Sequence, residues 1–358
     1  MSIVGISKTS PETVLSDYAR LMRLCNYQQY LPKDRTTIIK LNLSWSLYYP
    51  SCSTEPWQLE GILKTLREDG YEDIVAMENR TVVTDPMKGL RNNRWEKILR
   101  KYDVEFVPLM DVSWIPSKEV VKTDLPALTE IFGETHKIPE PFIGTNVIHP
   151  PTMKTHGHTT ITGAMKNAFG GLITERRHHC HKLIHEVLVD LLKIQKEIHT
   201  GIFTVMDGTV AGNGKGPRTM RPEILNYILA SDDQVALDSV SAKMMGFDPH
   251  KIDFIRIAAE EGLGNIYPVG VEILGEDISG VNFHFDVGES IVVWADKLFR
   301  RGALSFMEPL IFHTLIFNLA ILGSALYHDY IWYPLIGKGR IMKFMETEWG
   351  QLLKSYPY

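Results

Sequence analysis

Cysteine is scarce in this 358-residue chain, which contains only Cys25, Cys52 and Cys180, at wide spacings. An odd and scattered set argues against a disulfide framework and favours reduced thiols, so we expect a cytoplasmic protein. No Cys-x-x-Cys pair occurs, and this chain alone therefore cannot build a zinc ribbon or a four-cysteine iron–sulfur cluster. The N-terminal sequence lacks a basic stretch followed by a long apolar run, so we expect no signal peptide.

Positive charge is not in excess either. The chain has 38 Lys and Arg against 43 Asp and Glu, which gives a formal net charge of -5. This balance provides no global basic field, and we expect no nucleic-acid partner. The sequence also lacks a repeat of roughly 20–50 residues, which argues against a solenoid. The hydrophobic content of 44% is typical of a globular protein.

Strand-like and helix-like patterns alternate along the chain. β-branched and apolar residues at 36–43 predict a buried strand, and apolar residues then recur at helical spacing between Trp57 and Gly70. Further predicted elements are strands at 73–77, 105–109, 142–149, 201–206 and 269–274, and helices at 95–102, 234–245 and 251–261. The alternation predicts an α/β fold with a mostly parallel sheet and helices on both of its faces.

Three regions are predicted along the chain. Residues 1–150 form an N-terminal α/β half, residues 151–290 a second α/β half that carries the site, and residues 291–358 a C-terminal helical segment. In the last region, 309–327 contains no Asp, Glu, Lys or Arg, and it approaches the ~20 apolar residues that a bilayer span needs. Polar interruptions favour a soluble chain whose helix packs on the α/β body or across a homodimer; a membrane span or a membrane-surface helix over 309–333 is the alternative.

Polar and basic residues are concentrated in the segment HPPTMKTHGHTTITGAMKNAFGG at 149–171. This segment directly follows a predicted core strand, and ligands in open α/β sheets bind beyond the carboxyl ends of the strands. We expect Lys154, His156 and His158 to lie in the emerging loop. The alternative is a solvated basic loop without a ligand.

The same segment predicts a short helix at 164–169 that carries Lys166 and Asn167. Gly163 would permit a tight turn before this helix, and Gly170-Gly171 would end it. A cationic loop that leads into a helix N-terminus is a natural site for a phosphate or carboxylate group.

Two stretches carry a family resemblance: Pro151-Thr-Met-Lys-Thr-His156, and Thr162-Gly-Ala-Met-Lys-Asn-Ala-Phe-Gly170. They resemble motifs of the family called "domain of unknown function 362". Further likenesses in chain order are Lys40-Leu-Asn42, Thr54-Glu-Pro56, Asp207-Gly208, Gly212-Asn-Gly-Lys-Gly-Pro217 and Val235-Ala-Leu-Asp238. The resemblance covers roughly residues 36 to 275 and implies a soluble α/β protein but no particular reaction. A more distant likeness to the nickel-pincer lactate racemases would place Lys166 against a nucleotide-derived cofactor.

Histidine is clustered in RRHHCHKLIHE at 176–186. On a helix, His181 and His185 would share one face, and His178 could join them. Neutral imidazoles at this spacing suit zinc, nickel, copper or iron, so a transition metal is one hypothesis. Anion binding by Arg176 and Arg177 is a second, and a solvent-facing His-rich helix is the third.

Glycine is clustered in DGTVAGNGKGPR at 207–218. A loop with Gly212, Gly214 and Lys215 could surround a phosphate with backbone N–H groups, although its spacing is not that of a Walker motif. A surface loop is the alternative. Asp207, at the end of a predicted strand, could orient a histidine, bind a metal or act as a base.

Together these features predict an enzyme that acts on a small anionic substrate or uses a nucleotide-like cofactor. His156 is predicted as the general acid/base, with Lys166 and Asp207 completing the catalytic set. The predicted substrate- or cofactor-binding residues are Lys40, Asn42, Lys154, Thr155, His158, Thr162, Gly163, Asn167, Arg177, Gly212, Gly214 and Lys215. The alternatives are a metal- or cofactor-delivery protein that uses the His178–His185 cluster, and a membrane-associated or scaffold protein that uses 309–333.

Overall fold

The computed structural model describes residues 1–81, 83–174, 177–288, 306 and 322–357. The strands are β1 (Ser2–Lys8), β2 (Thr37–Lys40), β3 (Ile74–Glu78), β4 (Glu105–Pro108), β5 (Trp114–Pro116), β6 (Lys137–Pro139), β7 (Asn146–His149), β8 (Thr152–His156), β9 (Thr160–Ile161), β10 (Gly201–Lys215), β11 (Thr219–Ser231) and β12 (Val271–Gly275).

The α-helices of the same ranges are α1 (Val14–Leu24), α2 (Tyr27–Tyr30), α3 (Pro56–Glu68), α4 (Pro86–Asn92), α5 (Trp95–Lys101), α6 (Pro126–Phe132), α7 (Met165–Leu172), α8 (Ile184–Ile198), α9 (Gln234–Met245), α10 (Asp253–Glu260), α11 (Lys338–Met345) and α12 (Glu348–Ser355). A 3₁₀ helix (Arg177–Leu183) precedes α8, and a π-helix (Leu326–Gly337) precedes α11.

One large sheet forms the centre of the fold, with the strand order β12-β1-β11-β10-β7-β2-β3-β4. The five strands from β10 to β4 run parallel, whereas β11 is antiparallel to both of its neighbours. The predicted α/β fold with a mostly parallel sheet is therefore confirmed. Strands from before and after residue 150 are hydrogen-bonded to each other, because β7 pairs with β10 and β1 pairs with β11.

Alternating side chains of the sheet enter two separate hydrophobic cores. Ile38 belongs to the core that α6 to α10 cover, whereas the next residue, Ile39, belongs to the core that α1, α3, α5 and α12 cover. The same alternation separates Val205 from Met206 on β10. Successive side chains of a strand point to opposite faces, so a strand buried on both sides needs the continuous apolar sequence seen here.

The described part of the C-terminal region packs on the α/β body. The ring of Trp349 on α12 lies 5.0 Å from the ring of Trp57 on α3. The indole of Trp45 donates a hydrogen bond of 2.7 Å to Asp329 and packs with Trp332. Of the predicted segment 309–333, residues 309–321 lie outside the described residues. Within the described ranges, no helix combines the length and the apolar character needed to cross a membrane.

Two predicted loops are strands instead. The predicted strand at 201–206 continues as β10 to Lys215, because its second half pairs with β11 in a long hairpin. The predicted loop after Pro151 forms β8, which pairs with β10 through Asp207 and Gly212. Both segments are rich in glycine or polar residues, and their partners are distant in sequence, so local patterning does not identify them.

Candidate functional site

The strand order reverses between β2 and β7. From β2 the chain passes through α3 to β3 on one side, and from β7 it passes through α7 and α8 to β10 on the other. The connecting helices cover opposite faces of the sheet. In open parallel sheets, a ligand-binding crevice forms at such a switch point, at the carboxyl ends of the strands.

A cavity of about 100 Å³ lies at this position. Lys40 ends β2 and Glu78 ends β3, and both side chains face the cavity together with the first turns of α7. We call it the Lys166 pocket. Its lining residues are Lys40, Asn42, Leu43, Ser44, Glu78, His156, Thr162, Gly163, Lys166, Asn167, Phe169, Gly170, Arg177 and Pro217.

Lys166 contributes a cation that no described residue neutralises. Its side chain is partly exposed, and its ammonium lies 4.8 Å from the centre of the Phe169 ring. Among the described residues, this ammonium has no carboxylate partner and no hydrogen-bond acceptor. Although the residue keeps some exposure, the partial loss of solvent around its ammonium, followed by repulsion from Arg177 and Lys154, lowers the pKa of Lys166 to about 8.

Arg177 places a second cation at the pocket. Its Nη2 donates to the carbonyl oxygens of Arg80 and Ile173, at 3.0 and 3.3 Å. Its Nε is buried and has no hydrogen-bond partner in the described ranges. Burial lowers the pKa of Arg177 to about 10, so the guanidinium remains charged at neutral pH.

Glu78 and Lys40 form a buried ion pair that also lines the pocket. The ammonium of Lys40 donates to Glu78 Oε1 at 2.9 Å and to the carbonyl of Leu41 at 2.6 Å. Burial raises the pKa of Glu78, and the adjacent ammonium opposes that rise. Because these two charges offset each other, the pocket keeps the positive charge of Lys166 and Arg177.

His156 faces the same cavity as a neutral ring. The backbone N–H groups of His158 and Thr159 point at its Nδ1, at 3.2 and 3.3 Å. An Nδ1 that accepts hydrogen bonds places the proton of the neutral ring on Nε2. Burial, and then the nearby Lys166, lower the pKa of His156 well below its usual value. This environment favours His156 as a hydrogen-bond donor; its predicted role as general acid/base stays a prediction.

The N-terminus of α7 does not offer the anion site predicted from the sequence. The buried carboxylate of Asp238 on α9 accepts hydrogen bonds from the backbone N–H groups of Ala164 and Met165, at 2.5 and 3.0 Å. A Cβ atom at Gly163 would lie 2.3 Å from this carboxylate, and the φ angle of Gly163 is +67°. The protein's own carboxylate thus occupies the helix N-terminus.

A family model described as Domain of unknown function (DUF362) matches residues 37–243. The chain belongs to this family. Every residue that lines the Lys166 pocket lies within the matched range.

The DUF362 chain also has a curated relative, a thylakoid-associated protein of Synechocystis sp.. The two are 27% identical over 176 residues, which is 47% of this chain and 52% of the relative. The chain thus spans about half the length of the curated relative that it matches. No solved structure matches the chain. These matches do not show the distant likeness to the nickel-pincer lactate racemases.

Lys154 belongs to the DUF362 motif. The sequence predicted it in a loop, but the structure places it on a strand. It is buried on β8, and its ammonium donates to Asn42 Oδ1 at 2.5 Å, Cys52 O at 2.7 Å and Thr152 Oγ1 at 2.8 Å. Each of the three N–H donors of this ammonium therefore has an acceptor. Burial lowers the pKa of Lys154 to about 8. Lys154 therefore holds Asn42 and the chain around Cys52 in place beside the pocket.

Other residues of the DUF362 motifs also make hydrogen bonds that hold neighbouring segments of the chain in place. The amide of Asn167 donates to the carbonyl of Lys40 at 2.8 Å and lies 3.1 Å from His149 Nδ1. The hydroxyl of Thr162 donates to the carbonyl of Lys154 at 3.3 Å. Thr155 donates to the carbonyl of Gly214 at 2.7 Å and is not among the pocket-lining residues.

Asp207 and the glycine segment do not meet the pocket. The carboxylate of Asp207 accepts hydrogen bonds from Tyr18 and Trp57, which belong to the core on the other face of the sheet. Gly212 and Gly214 are residues of β10 rather than of a phosphate-binding loop, and Lys215 is exposed at its end. A Cβ atom at Gly212 would lie 2.4 Å from Met220 Sδ, so this glycine permits close strand packing.

The predicted histidine face is divided between two helices. His181 lies in the 3₁₀ helix and stacks on His158, with ring centres 4.9 Å apart. His185 lies in α8, where its Nδ1 accepts the backbone N–H of Phe254 at 3.2 Å. The described ranges contain no group of three His, Cys, Asp or Glu arranged to hold a metal ion. Arg176 and the side chain of His178 lie outside what the structure describes.

Sequence reasoning missed Glu78 as a site residue. Glu78 directly follows a predicted strand, so its position at a strand end was a usable signal. The position indicates a site residue only once β3 is known to pair with β2, which brings Glu78 beside Lys40. Asp238 contacts residues 73 and 74 positions earlier, and no local pattern indicates such a pair.

Proposed function

We propose that this DUF362 protein binds a small organic anion in the Lys166 pocket, through a carboxylate or phosphate group of the ligand. The observation that carries the proposal is the ammonium of Lys166, which faces the cavity without an acceptor among the described residues. Arg177 supplies a second positive charge, and its buried Nε also lacks an acceptor among the described residues. Charge-assisted hydrogen bonds to such groups are among the stronger ones in proteins.

The size and polarity of the cavity support a small ligand. Its volume of about 100 Å³ is below the roughly 300–1,000 Å³ typical of pockets for drug-sized molecules. A carboxylate or phosphate on a chain of a few carbons fits this space, whereas a whole nucleotide does not fit the cavity in this form. In this proposal Lys166 and Arg177 hold the anion, and His156 donates a further hydrogen bond from Nε2.

The pH dependence of sulfate binding tests the proposal, because sulfate keeps its charge across the range used. Only the protonated form of Lys166 attracts an anion, and its pKa is lowered to about 8. Affinity should therefore be constant below about pH 7 and fall about tenfold between pH 7 and pH 9, as expected for loss of this proton. Isothermal titration calorimetry at pH 6, 7, 8 and 9 measures the sulfate affinity.

Lys166→Arg is the matched control for this pH series. Its guanidinium keeps the charge throughout the range, so sulfate affinity should no longer change between pH 7 and pH 9. Sulfate affinity of the unmodified protein that stays constant up to pH 9, or no sulfate binding at all, would contradict the proposal.

A second candidate function is attachment to a membrane surface, and exposed apolar side chains on the π-helix favour it. Tyr330 and Leu335 are 74% and 76% exposed, and Ile331 and Ile336 are also exposed. The exposed Lys338 follows directly on α11. An apolar face next to basic residues is typical of helices that lie in a membrane interface, and the curated relative is named as thylakoid-associated.

Cosedimentation with anionic phospholipid vesicles tests this second candidate. The double substitution Leu335→Glu and Ile336→Glu should reduce the bound fraction at least about tenfold, because it removes two apolar anchors and adds like charge. Met110→Glu, at another exposed apolar residue, is the control and should bind as the unmodified protein does. Equal sedimentation of all three proteins would exclude the π-helix as the contact.

A further inference from the structure

Glu78 lines the pocket, and one of its carboxylate oxygens is buried without a partner among the described residues. Glu78 is 2% exposed, and its Oε1 accepts hydrogen bonds from both the Lys40 ammonium and the backbone N–H of Asn79, at 2.9 and 2.7 Å. Its Oε2 has no hydrogen-bond donor among the described residues. A buried carboxylate oxygen without a donor costs free energy, so an unpaired one at a cavity points to a group that binds there.

The Glu78 carboxylate packs on the helix that carries Lys166. Gly170 and Lys166 are four residues apart on α7 and therefore share one face of the helix. A Cβ atom at Gly170 would lie 3.1 Å from Lys40 Nζ and 3.5 Å from Glu78 Oε1, so this face packs directly on the ion pair. Glu78 Oε1 thus lies beside Gly170, and Gly170 is about one helical turn from Lys166, roughly 5–6 Å between backbone positions.

A simple anion cannot satisfy both sides of this pocket. A carboxylate or phosphate oxygen placed at Glu78 would repel its negative charge, whereas a hydroxyl group would donate a hydrogen bond to it. The short separation requires the hydroxyl and the anionic group to be only a few bonds apart in the ligand.

We propose that Glu78 Oε2 accepts a hydrogen bond from a hydroxyl group of the ligand, so that the ligand is a short hydroxylated carboxylate or phosphate ester. The inference rests on the proposed function, in which Lys166 and Arg177 hold the anionic group. Glu78 then selects hydroxylated anions over unsubstituted ones, and the Lys40 ammonium keeps the Glu78 carboxylate oriented for this contact.

Matched ligands test the selection in the unmodified protein. The carboxylate probes are 3-hydroxypropionate, 3-fluoropropionate and propionate, and the phosphate probes are 2-hydroxyethyl phosphate and ethyl phosphate. A hydrogen bond to a charged acceptor should make a hydroxylated probe bind at least about tenfold more tightly than its unsubstituted partner. Fluorine resembles a hydroxyl in size but cannot donate, so 3-fluoropropionate should bind like propionate. If 3-hydroxypropionate is the tighter of the two hydroxylated probes, the anionic group of the ligand is a carboxylate; if 2-hydroxyethyl phosphate is the tighter, it is a phosphate.

Glu78→Gln then tests the residue itself. The amide can keep the hydrogen bonds to Lys40 and Asn79 but removes the charged acceptor, so the preference for hydroxylated probes should fall several-fold. Sulfate affinity should rise, because a negative charge leaves the pocket, and thermal denaturation followed by circular dichroism reports whether the variant is folded.

The outcomes separate this inference from the proposed function. Equal affinity for hydroxylated, fluorinated and unsubstituted probes, with sulfate binding intact, would overturn the role of Glu78 and leave anion binding standing. A hydroxyl preference that Glu78→Gln leaves unchanged would also overturn it. Failure of the unmodified protein to bind sulfate or any of the probes would overturn both.

Discussion

Replacing Lys166 with methionine should lower the affinity for sulfate by about 100-fold, which corresponds to roughly 2.7 kcal/mol of binding free energy. The substitution removes a charge and a donor that face the pocket, and hydrogen bonds between charged groups are the stronger ones. Because the Lys166 ammonium makes no hydrogen bond to the described protein, the free energy of unfolding should change by less than about 1 kcal/mol. Calorimetric titration and urea denaturation measure the two effects.

Lys215→Met provides the matched control for this experiment. Lys215 was predicted from the sequence as a ligand-binding residue, yet it is exposed at the end of β10 and does not line the pocket. Its substitution should leave sulfate affinity unchanged. If Lys166→Met unfolds the protein, or if both variants bind sulfate as the unmodified protein does, Lys166 is not the anion-binding residue.

Replacing Asp207 with alanine should destabilise the fold by about 3–5 kcal/mol. Its Oδ2 accepts hydrogen bonds from Tyr18 at 2.6 Å and Trp57 at 2.9 Å, and its Oδ1 accepts two from Thr209, at 2.8 and 3.0 Å. The substitution would remove the acceptor of the Tyr18 hydroxyl and of the Thr209 backbone N–H, whereas the Trp57 indole keeps its hydrogen bond to the Thr209 hydroxyl at 3.1 Å. Each buried group left unpaired costs about 1–3 kcal/mol. Burial raises the pKa of Asp207, which the donors oppose. Urea denaturation measures the loss.

Asp34→Ala is the control for this second variant, because Asp34 is exposed. It should change the free energy of unfolding by less than about 0.5 kcal/mol. Asp207→Ala should retain sulfate affinity under conditions where it remains folded, since its carboxylate faces the other side of the sheet. A stable Asp207→Ala protein that has lost anion binding would restore the catalytic role predicted from the sequence.

The regular elements could be predicted because their signals are local. Continuous apolar residues around Ile38 and Ile39 indicate a strand buried on both faces, and the helix at 234–245 agrees with α9. The motif with Lys166 also marks the pocket, which lies where ligands of parallel sheets bind. These inferences need only the chemistry of neighbouring residues.

The partners of individual polar residues could not be predicted in this way. Lys154 lies in a polar and basic sequence segment that is typical of a ligand site. Its acceptors come from residues 42 and 52, which reach it only after the sheet has formed. Gly170 and Gly171 resemble a helix stop, yet α7 continues to Leu172. A Cβ atom at Gly171 would lie 3.0 Å from Lys40 Cε, so these glycines make room for a distant side chain.

The position of β1 has a consequence for the order in which the chain folds. This first strand is hydrogen-bonded between β11 and β12, which lie more than 200 residues later. During synthesis, Val4 and Ile6 cannot reach their final places until residue 275 has left the ribosome. By contrast, β2, β3 and β4 follow one another and pair as neighbours. Contacts of long sequence separation slow folding, so the parallel strands beside the pocket should assemble first and the β1 edge of the sheet last.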